Sequence, residues 1–313
     1  MSIRKHLILL LALSVHLFTE AQQKKPTPAA KPKPALAQKP KPADPNTSYL
    51  YGTMHMVCAD DAKLSVGLKE VIKKSKQLYF ELDMDNMEEM MSVLKYARMT
   101  NGLKLQDLVS PVDYQKLEDY FKENKSMLPF AMMTRFKPYF ISAVISEGLL
   151  NCPQKVSIEQ QIMTEAKQYD KEVFGLETIE FQASIFDSIP YEKQAQDLVA
   201  YVDSVEKYKQ ITTDMADMYR RQEINNMDSL TEKSDPGMLE YMDVLLYDRN
   251  KRWADQIPEQ MFQTSTLFAV GAGHLGGDKG VIALLKKQGF TVKPLDNTKV
   301  TEATAPKVKA ASL

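Results

Sequence analysis

The chain of 313 residues is 44% hydrophobic and 26% charged, an ordinary globular composition that excludes collagen-like and wholly disordered proteins. Its 2 cysteines exclude a disulfide-built miniprotein and a Cys-x-x-Cys zinc framework. The net charge of −1 hides an asymmetry, because the first 45 residues carry eight basic and two acidic residues and the rest of the chain is therefore acidic. Since a body of that sign repels phosphate backbones, we expect no nucleic-acid partner.

The N-terminal region has the pattern of an export signal. Arg4 and Lys5 precede an apolar run over residues 7–18, which is followed by Thr19-Glu20-Ala21. A basic start, a short apolar stretch and small residues before a cut are typical of a secretory signal, and the run is shorter than the roughly 20 residues that span a bilayer. We predict a signal peptide over residues 1–21, cleaved near Ala21, export to the periplasm or cell exterior, and no transmembrane span in the mature chain. A buried or membrane-anchoring helix is the alternative.

Low-complexity segments flank the predicted folded domain. Residues 22–46 are almost entirely Lys, Pro, Ala and Gln, which favours a disordered linker, and residues 297–313 are typical of a flexible tail. The domain then covers residues 47–296, a size that suits one α/β domain. In an oxidising compartment Cys58 and Cys152 are the candidate disulfide pair, with two buried free thiols as the alternative. The oligomeric state is left open.

Four short apolar runs predict buried strands, over residues 49–51, 78–80, 173–176 and 267–270. Residues 61–76, between the first two runs, have the periodicity of an amphipathic helix, and a second helix is predicted over residues 280–288. Strand, helix and strand in so short a space form a crossover unit with parallel pairing. The predicted fold is an α/β domain with a central, mainly parallel sheet flanked by helices and a helical insertion in the middle of the chain.

Each predicted strand is followed by a side chain that can bind a metal ion or move a proton. The four residues, in chain order, are His55, Glu81, Glu177 and His274. Because ligands bind beyond the carboxyl ends of strands in open parallel sheets, we expect these side chains to converge. Ordinary turn histidines and structural ion pairs are the alternatives.

The two histidines outside the predicted signal peptide share a Gly-x-x-His pattern, Gly52 with His55 and Gly271 with His274. Glycine at a strand end permits a sharp turn or a close backbone approach, so that the imidazole can lean over the sheet edge. Gly273 is the third candidate turn residue of these segments.

Two features in the middle of the chain are less specific. An apolar stripe at helical spacing is predicted to pack into the core or a lid, with a peptide groove as the alternative; it consists of Met87, Met90, Met91 and Leu94. Arg135 either carries a cation to the predicted site, where it would bind substrate, or pairs with an acid elsewhere.

Successive segments of the chain resemble motifs of the TraB/GumN family, which includes the Tiki metalloproteases. They are residues 49–55, 80–83, 175–178 with Gln182, Arg249-Asn250, 271–276 and 280–292. The match covers about residues 49–295, in family order. The sequence departs from the pattern at Glu159, where many relatives have an aspartate.

The resemblance implies a metal-dependent hydrolytic site in which His55, Glu81 and His274 are metal ligands and Glu177 lies near them as a catalytic carboxylate. Two imidazoles and a carboxylate suit zinc, manganese or cobalt, which would activate water for attack on a peptide or protein substrate. Arg249 is a further candidate for binding substrate. A non-catalytic protein that sequesters peptides and a carrier of metal or haem iron are the alternative functions.

Overall fold

A computed structural model describes residues 47–124, 128–225 and 239–297. The predicted signal peptide, the linker up to residue 46 and the tail beyond residue 297 lie outside the described residues, so their assignments stay predictions.

A four-stranded sheet forms the centre of the fold, and all of its pairings are parallel. Its strands are β1 (Tyr49–Thr53), β3 (Gln77–Leu82), β5 (Glu172–Glu177) and β6 (Thr266–Gly271), in the spatial order β1-β6-β3-β5. The four predicted strands are therefore confirmed, and the fold is the predicted mainly parallel α/β class. Because the strands run the same way, their carboxyl ends lie along one edge of the sheet.

A small antiparallel ribbon pairs β2 (Val57–Cys58) with β4 (Lys155–Val156). A disulfide joins Cys58 to Cys152 beside this ribbon, with their Cα atoms 5.9 Å apart. The segment after β1 is thus linked to a segment almost a hundred residues further along the chain.

Helices surround the sheet and form the insertion. They are α1 (Val66–Lys74), α2 (Met87–Tyr96), α3 (Pro111–Glu123), α4 (Phe130–Met133), α5 (Pro138–Leu149), α6 (Ile158–Lys167), α7 (Ile179–Asp187), α8 (Tyr191–Asp203), α9 (Val205–Arg220), α10 (Asp248–Gln263) and α11 (Val281–Lys287). Short 3-10 segments occur at Ala59–Ala62, Leu105–Asp107, Leu239–Tyr241 and Ala272–His274, and a π-helical turn at Asp243–Tyr247 precedes α10. Small polar side chains cap several N-termini, where their oxygens accept backbone N–H groups; examples are Ser65, Asn86, Ser110, Ser157 and Thr178.

The two faces of the sheet are buried by different helices, because successive residues of a strand point to opposite sides. Leu267 and Ala269 of β6 belong to one core cluster, together with buried residues of α1 and α6. Phe268 and Val270 belong to the other, together with Trp253 of α10 and residues of α11. A third core cluster lies in the helical insertion and is formed by buried residues of α3, α4, α5 and α8.

Two details differ from the sequence predictions. The helix predicted to begin at residue 61 begins at Val66, because Ser65 caps it and a separate 3-10 turn occupies Ala59–Ala62. The predicted core packing of the apolar stripe is wrong for three of its four residues, since Met87 is 70% exposed, Met91 67% and Leu94 45%, while Met90 is half-buried. Helix α2 packs against α7, and these three side chains face solvent. Of the helices in the described ranges, none is both long and apolar enough to cross a membrane.

Candidate active site

The strand order brings three of the predicted site residues together at the carboxyl edge of the sheet. Glu81 is near the end of β3, Glu177 ends β5, and His274 lies in the 3-10 turn after β6. The His274 Nε2 atom is 3.8 Å from Oε1 of Glu81. The side-chain amide of Gln182, on α7, donates to Glu81 at 3.3 Å and to Glu177 at 3.1 Å.

Arg249, in the first turn of α10, contacts all three of these side chains. Its Nη2 atom is 2.6 Å from Glu81 and 2.8 Å from Glu177, and its Nη1 atom is 3.2 Å from Nε2 of His274. The Nη1 group also donates to the carbonyl of Leu245, in the π-helical turn before α10. The guanidinium therefore provides a positive charge beside two carboxylates that are almost completely buried, which offsets the cost of burying them.

The Glu81 carboxylate is held in its charged form. Burial alone would raise its pKa, but the His274 ring where it is protonated, the charges of Arg249 and His55, and the Gly271 N–H that donates to Oε1 at 2.8 Å lower the pKa to about 2. The carboxylate is therefore ionised at neutral pH. The cation beside it is the Arg249 guanidinium, which donates to its Oε2.

The His274 imidazole is held in one orientation and one tautomer. Asn250, which is buried, donates from Nδ2 to the carbonyl of Lys279, so its Oδ1 faces Nδ1 of His274 at 2.6 Å. The proton is then on Nδ1, and the Nε2 lone pair faces Arg249 and Glu81. Burial, reinforced by the Arg249 and His55 charges, lowers the pKa of His274 to about 4, so the ring is neutral at neutral pH. Trp253 packs against the ring, with centroids 4.3 Å apart.

His55 lies at the same edge but has a different partner. Its Nδ1 atom is 2.7 Å from Oε1 of Glu159, a residue in the first turn of α6, while 77% of the His55 side chain is exposed. The adjacent Glu159 carboxylate raises the pKa of His55 to about 9, and the charge of His55 in turn lowers the pKa values of Glu81 and His274. The two imidazoles therefore act on each other electrostatically, each beside a carboxylate.

The two motif glycines allow close approaches rather than unusual backbone angles, since neither is among the positive-φ residues. A Cβ atom on Gly271 would lie 3.0 Å from Oε1 of Glu81, and one on Gly52 would lie 3.0 Å from the Cβ of Ala272. A Cβ on Gly273 would meet nothing within 4 Å. Gly271 thus makes room for the Glu81 carboxylate, whereas Gly273 has no such steric role.

Two side chains at this edge are of types that bind divalent cations. Zinc, manganese and cobalt accept neutral imidazoles and ionised carboxylates as ligands, but here Nε2 of His274 faces the Arg249 guanidinium at 3.2 Å. Within the described ranges, however, no three His, Cys, Asp or Glu side chains converge closely enough to hold a metal ion. His274 and Glu81 are the adjacent pair, the guanidinium of Arg249 contacts both, and His55 is paired with Glu159.

Arg135 is not drawn into this network. It is exposed, in the turn between α4 and α5, and its carbonyl accepts the N–H of Met99. Within the described part of the chain, no hydrogen bond or ion pair joins its side chain to Glu81, Glu177 or His274.

Two residues that hold the histidines had no role assigned from the sequence. Asn250 follows Arg249 in one of the segments that resemble family motifs. Its position next to a candidate substrate-binding residue was the available indication that it belongs to the site. Glu159 is distinguished in the sequence only as a glutamate where many relatives have the shorter aspartate, two residues after the serine that caps α6. That pattern does not indicate that His55 is its partner. The Asn250–His274 and Glu159–His55 contacts both join residues that are distant along the chain and lie in different structural elements. Sequence periodicity does not predict contacts of this kind.

The fold and the site together define an α/β protein with a histidine, carboxylate and arginine cluster at the carboxyl edge of a parallel sheet. The model of the TraB/PrgY/gumN family matches residues 40–294, and the chain belongs to this family.

The chain is also similar to three curated proteins. They are a metalloprotease TIKI homolog of Nematostella vectensis (20% identical, covering 79% of this chain and 64% of the relative), metalloprotease TIKI1 of Danio rerio (22%, 79% and 60%) and metalloprotease TIKI2 of Danio rerio (21%, 79% and 58%). The chain therefore spans about three-fifths of the length of these relatives. No solved structure matches significantly.

Proposed function

We propose that this protein is an exported, metal-dependent hydrolase that cleaves peptide bonds. The observation that carries the proposal is the pairing of a neutral His274, with its Nε2 facing inward, and an ionised Glu81 at 3.8 Å, within a family whose similar members are named metalloproteases. A buried carboxylate beside a neutral imidazole favours a cation, and ligands bind beyond the carboxyl ends of the strands in this class of fold.

His274 and Glu81 would hold the metal ion, with His55 as the third ligand. Zinc, manganese or cobalt bound there would supply a Lewis acid that activates water and polarises a carbonyl group. The chain itself contributes the fixed Nδ1–H tautomer of His274 and the charged state of Glu81, so that neither of these two ligands needs to lose a proton at neutral pH. His55, whose pKa is about 9, would lose a proton on binding the ion.

Glu177 and Arg249 would act on the substrate. Glu177, whose side chain is completely buried, bonds to Gln182 and Arg249 and is the candidate to accept and return a proton during hydrolysis. Arg249 carries hydrogen-bond donors beside this carboxylate, and such a group stabilises negative charge that develops on a carbonyl oxygen. The substrate-binding role predicted for Arg135 receives no support from the contacts of its side chain.

The proposal includes export from the cytoplasm, and two features support it. The signal peptide predicted at the N-terminus and the bond between Cys58 and Cys152 both suit an oxidising environment. The location stays a proposal because the N-terminal residues lie outside the described part of the chain.

A cleavage screen on a peptide library tests the proposal. The protein is treated with chelator and then supplied with Zn²⁺, Mn²⁺ or Co²⁺, and products are identified by mass spectrometry. We expect cleavage that depends on one of these ions and that falls by a factor of at least about 100 in Glu81→Gln, because a ligand and its charge are lost. Glu172→Gln is the matched control, an exposed acid at the opposite end of the same sheet, and should retain full activity.

Three outcomes would overturn the proposal. Full activity in Glu81→Gln would remove that residue from the site. Tight peptide binding that a chelator does not affect, without cleavage, would indicate a sequestering protein. Stoichiometric metal or haem iron without turnover would indicate a carrier.

A further inference from the structure

All three nitrogen atoms of the Arg249 guanidinium donate to groups of the protein. Nε donates to the Glu177 carboxylate at 3.0 Å, and Nη2 donates to Glu177 at 2.8 Å and to Glu81 at 2.6 Å. Nη1 donates to the Leu245 carbonyl and to Nε2 of His274, each at 3.2 Å. Since a guanidinium offers N–H groups and no acceptor, Arg249 in this arrangement has no nitrogen without a protein partner.

Two of these acceptors are the groups that the proposed function assigns to a metal ion. The Nδ1 atom of His274 faces Asn250, so the ring has a single lone pair, on Nε2, and that lone pair accepts from Arg249. The Glu81 Oε1 atom accepts the Gly271 N–H, and the other oxygen, Oε2, accepts from Arg249. An ion and the guanidinium therefore need the same lone pair of His274, and their positive charges would repel each other across this short distance.

The guanidinium also has two contacts outside the pair of Glu81 and His274. One is the Leu245 carbonyl, in the π-helical turn before α10, and the other is the ring of Trp253, whose centroid is 4.9 Å from Cζ. Both partners lie on the same stretch of chain as Arg249 itself. An arginine that gave up its bonds to Glu81 and His274 would therefore keep a hydrogen-bond acceptor and an aromatic face.

We propose that Arg249 is the internal cation of this site and competes with a divalent ion for Glu81 and His274, so that an ion binds there only when the guanidinium withdraws. The proposal rests on the metal-dependent function proposed above and names what regulates the same site. It explains why no three His, Cys, Asp or Glu side chains of the described ranges converge, since Glu81 and Glu177 are arranged around a guanidinium. Withdrawal would also release N–H groups for a substrate carbonyl.

Binding of Co²⁺ to chelator-treated protein, measured by calorimetry and by the visible spectrum of the ion, provides the first test. We expect Arg249→Gln to bind Co²⁺ at least about 10-fold more tightly than the wild type, because a positive charge next to the ion is removed. Adding Glu81→Gln to that variant should abolish the gain, which locates the ion at this site. Arg252→Gln is the matched control, an exposed arginine on the same helix, and should bind as the wild type does.

A second pair of variants covers the case in which Arg249→Gln does not fold. Arg249→Gln/Glu177→Gln removes one of the two carboxylates that the missing cation would leave unpaired, and it keeps Glu81 and His274. We expect this double variant to bind Co²⁺ at least about 10-fold more tightly than Glu177→Gln alone.

The side-chain signal of Arg249 in the wild type provides a test without any change to the site. The ¹H–¹⁵N signal of Nε–H, assigned by its absence from an Arg249 variant, is recorded before and after addition of Zn²⁺. We expect the signal to shift as Zn²⁺ binds, because the guanidinium leaves its present acceptors.

The outcomes separate this proposal from the proposed function. Equal Co²⁺ affinities with and without Arg249, or an unshifted Arg249 signal in the Zn²⁺-bound wild type, would overturn the competition and leave the metal-dependent function standing. Binding by the Arg249 variants alone would support the competition and count against a metal-dependent function of the wild type. Binding by neither would overturn both.

Discussion

Replacing Arg249 by glutamine is expected to destabilise the protein, because its guanidinium contacts two buried carboxylates. The side chains of Arg249 and Glu81 are each 12% exposed, and that of Glu177 is 0% exposed. Without the cation, two negative charges would lie side by side in a site from which water is largely excluded. Removing one partner of a buried ion pair costs about 3–5 kcal/mol, and we expect the free energy of unfolding to fall by that amount.

Urea unfolding in the presence of chelator at about pH 7 measures this loss, followed by circular dichroism and by fluorescence of Trp253, the single tryptophan of the chain. Arg252→Gln is the matched control on the same helix. Arg252 is exposed and lies over the ring of Phe181, so its loss should cost at most about 1 kcal/mol. The double variant Arg249→Gln/Glu177→Gln removes one of the stranded charges and should be more stable than additivity predicts, by about 0.5–3 kcal/mol.

An unfolding free energy of Arg249→Gln within about 1 kcal/mol of the wild type, at an unchanged denaturant slope, would refute this reasoning. It would mean that the two carboxylates are neutralised by protons or by solvent rather than by the guanidinium.

Three further variants test separate parts of the site. Asn250→Leu leaves a buried imidazole N–H and a carbonyl unpaired, so thermal and urea unfolding should show a loss of about 1–3 kcal/mol for each group. Gly271→Ala places a methyl group against a carboxylate oxygen and should cost about 1–3 kcal/mol, whereas Gly273→Ala, which meets open space, should change stability by less than about 0.5 kcal/mol; equal effects would contradict the close-approach argument. The double serine variant of Cys58 and Cys152 should lose about 2–5 kcal/mol, and thiol titration of the unfolded wild type without reductant should detect no free thiols.

The sheet could be predicted well from the sequence because its signal is local. Each strand is an uninterrupted apolar run followed at once by glycine or an acid, as in the run that ends at Glu81. Parallel pairing followed from the short crossover between the first two strands. The position of β6 between β1 and β3 could not be predicted, because no local pattern specifies which distant strands become neighbours.

The convergence of Glu81, Glu177 and His274 was predictable because each lies at or just beyond the end of a strand. The residues that contact the histidines at Nδ1 could not be predicted. Glu159 lies about a hundred residues after His55, and the two segments are brought together by the β2–β4 ribbon and the disulfide. The exposed stripe of α2 was mispredicted for a related reason. Periodicity identifies the apolar face of a helix, but only the tertiary packing decides whether that face is covered.

The place of β6 has a consequence for synthesis. Its residue Leu267 pairs with Tyr49, more than two hundred residues earlier, and the same strand also pairs with β3. Until that late segment leaves the ribosome, β1 and β3 have exposed edges whose unpaired amides and carbonyls can form hydrogen bonds with other chains. Nascent molecules therefore remain prone to aggregation throughout most of translation, and any truncation before residue 266 leaves the two halves of the sheet without the strand that joins them.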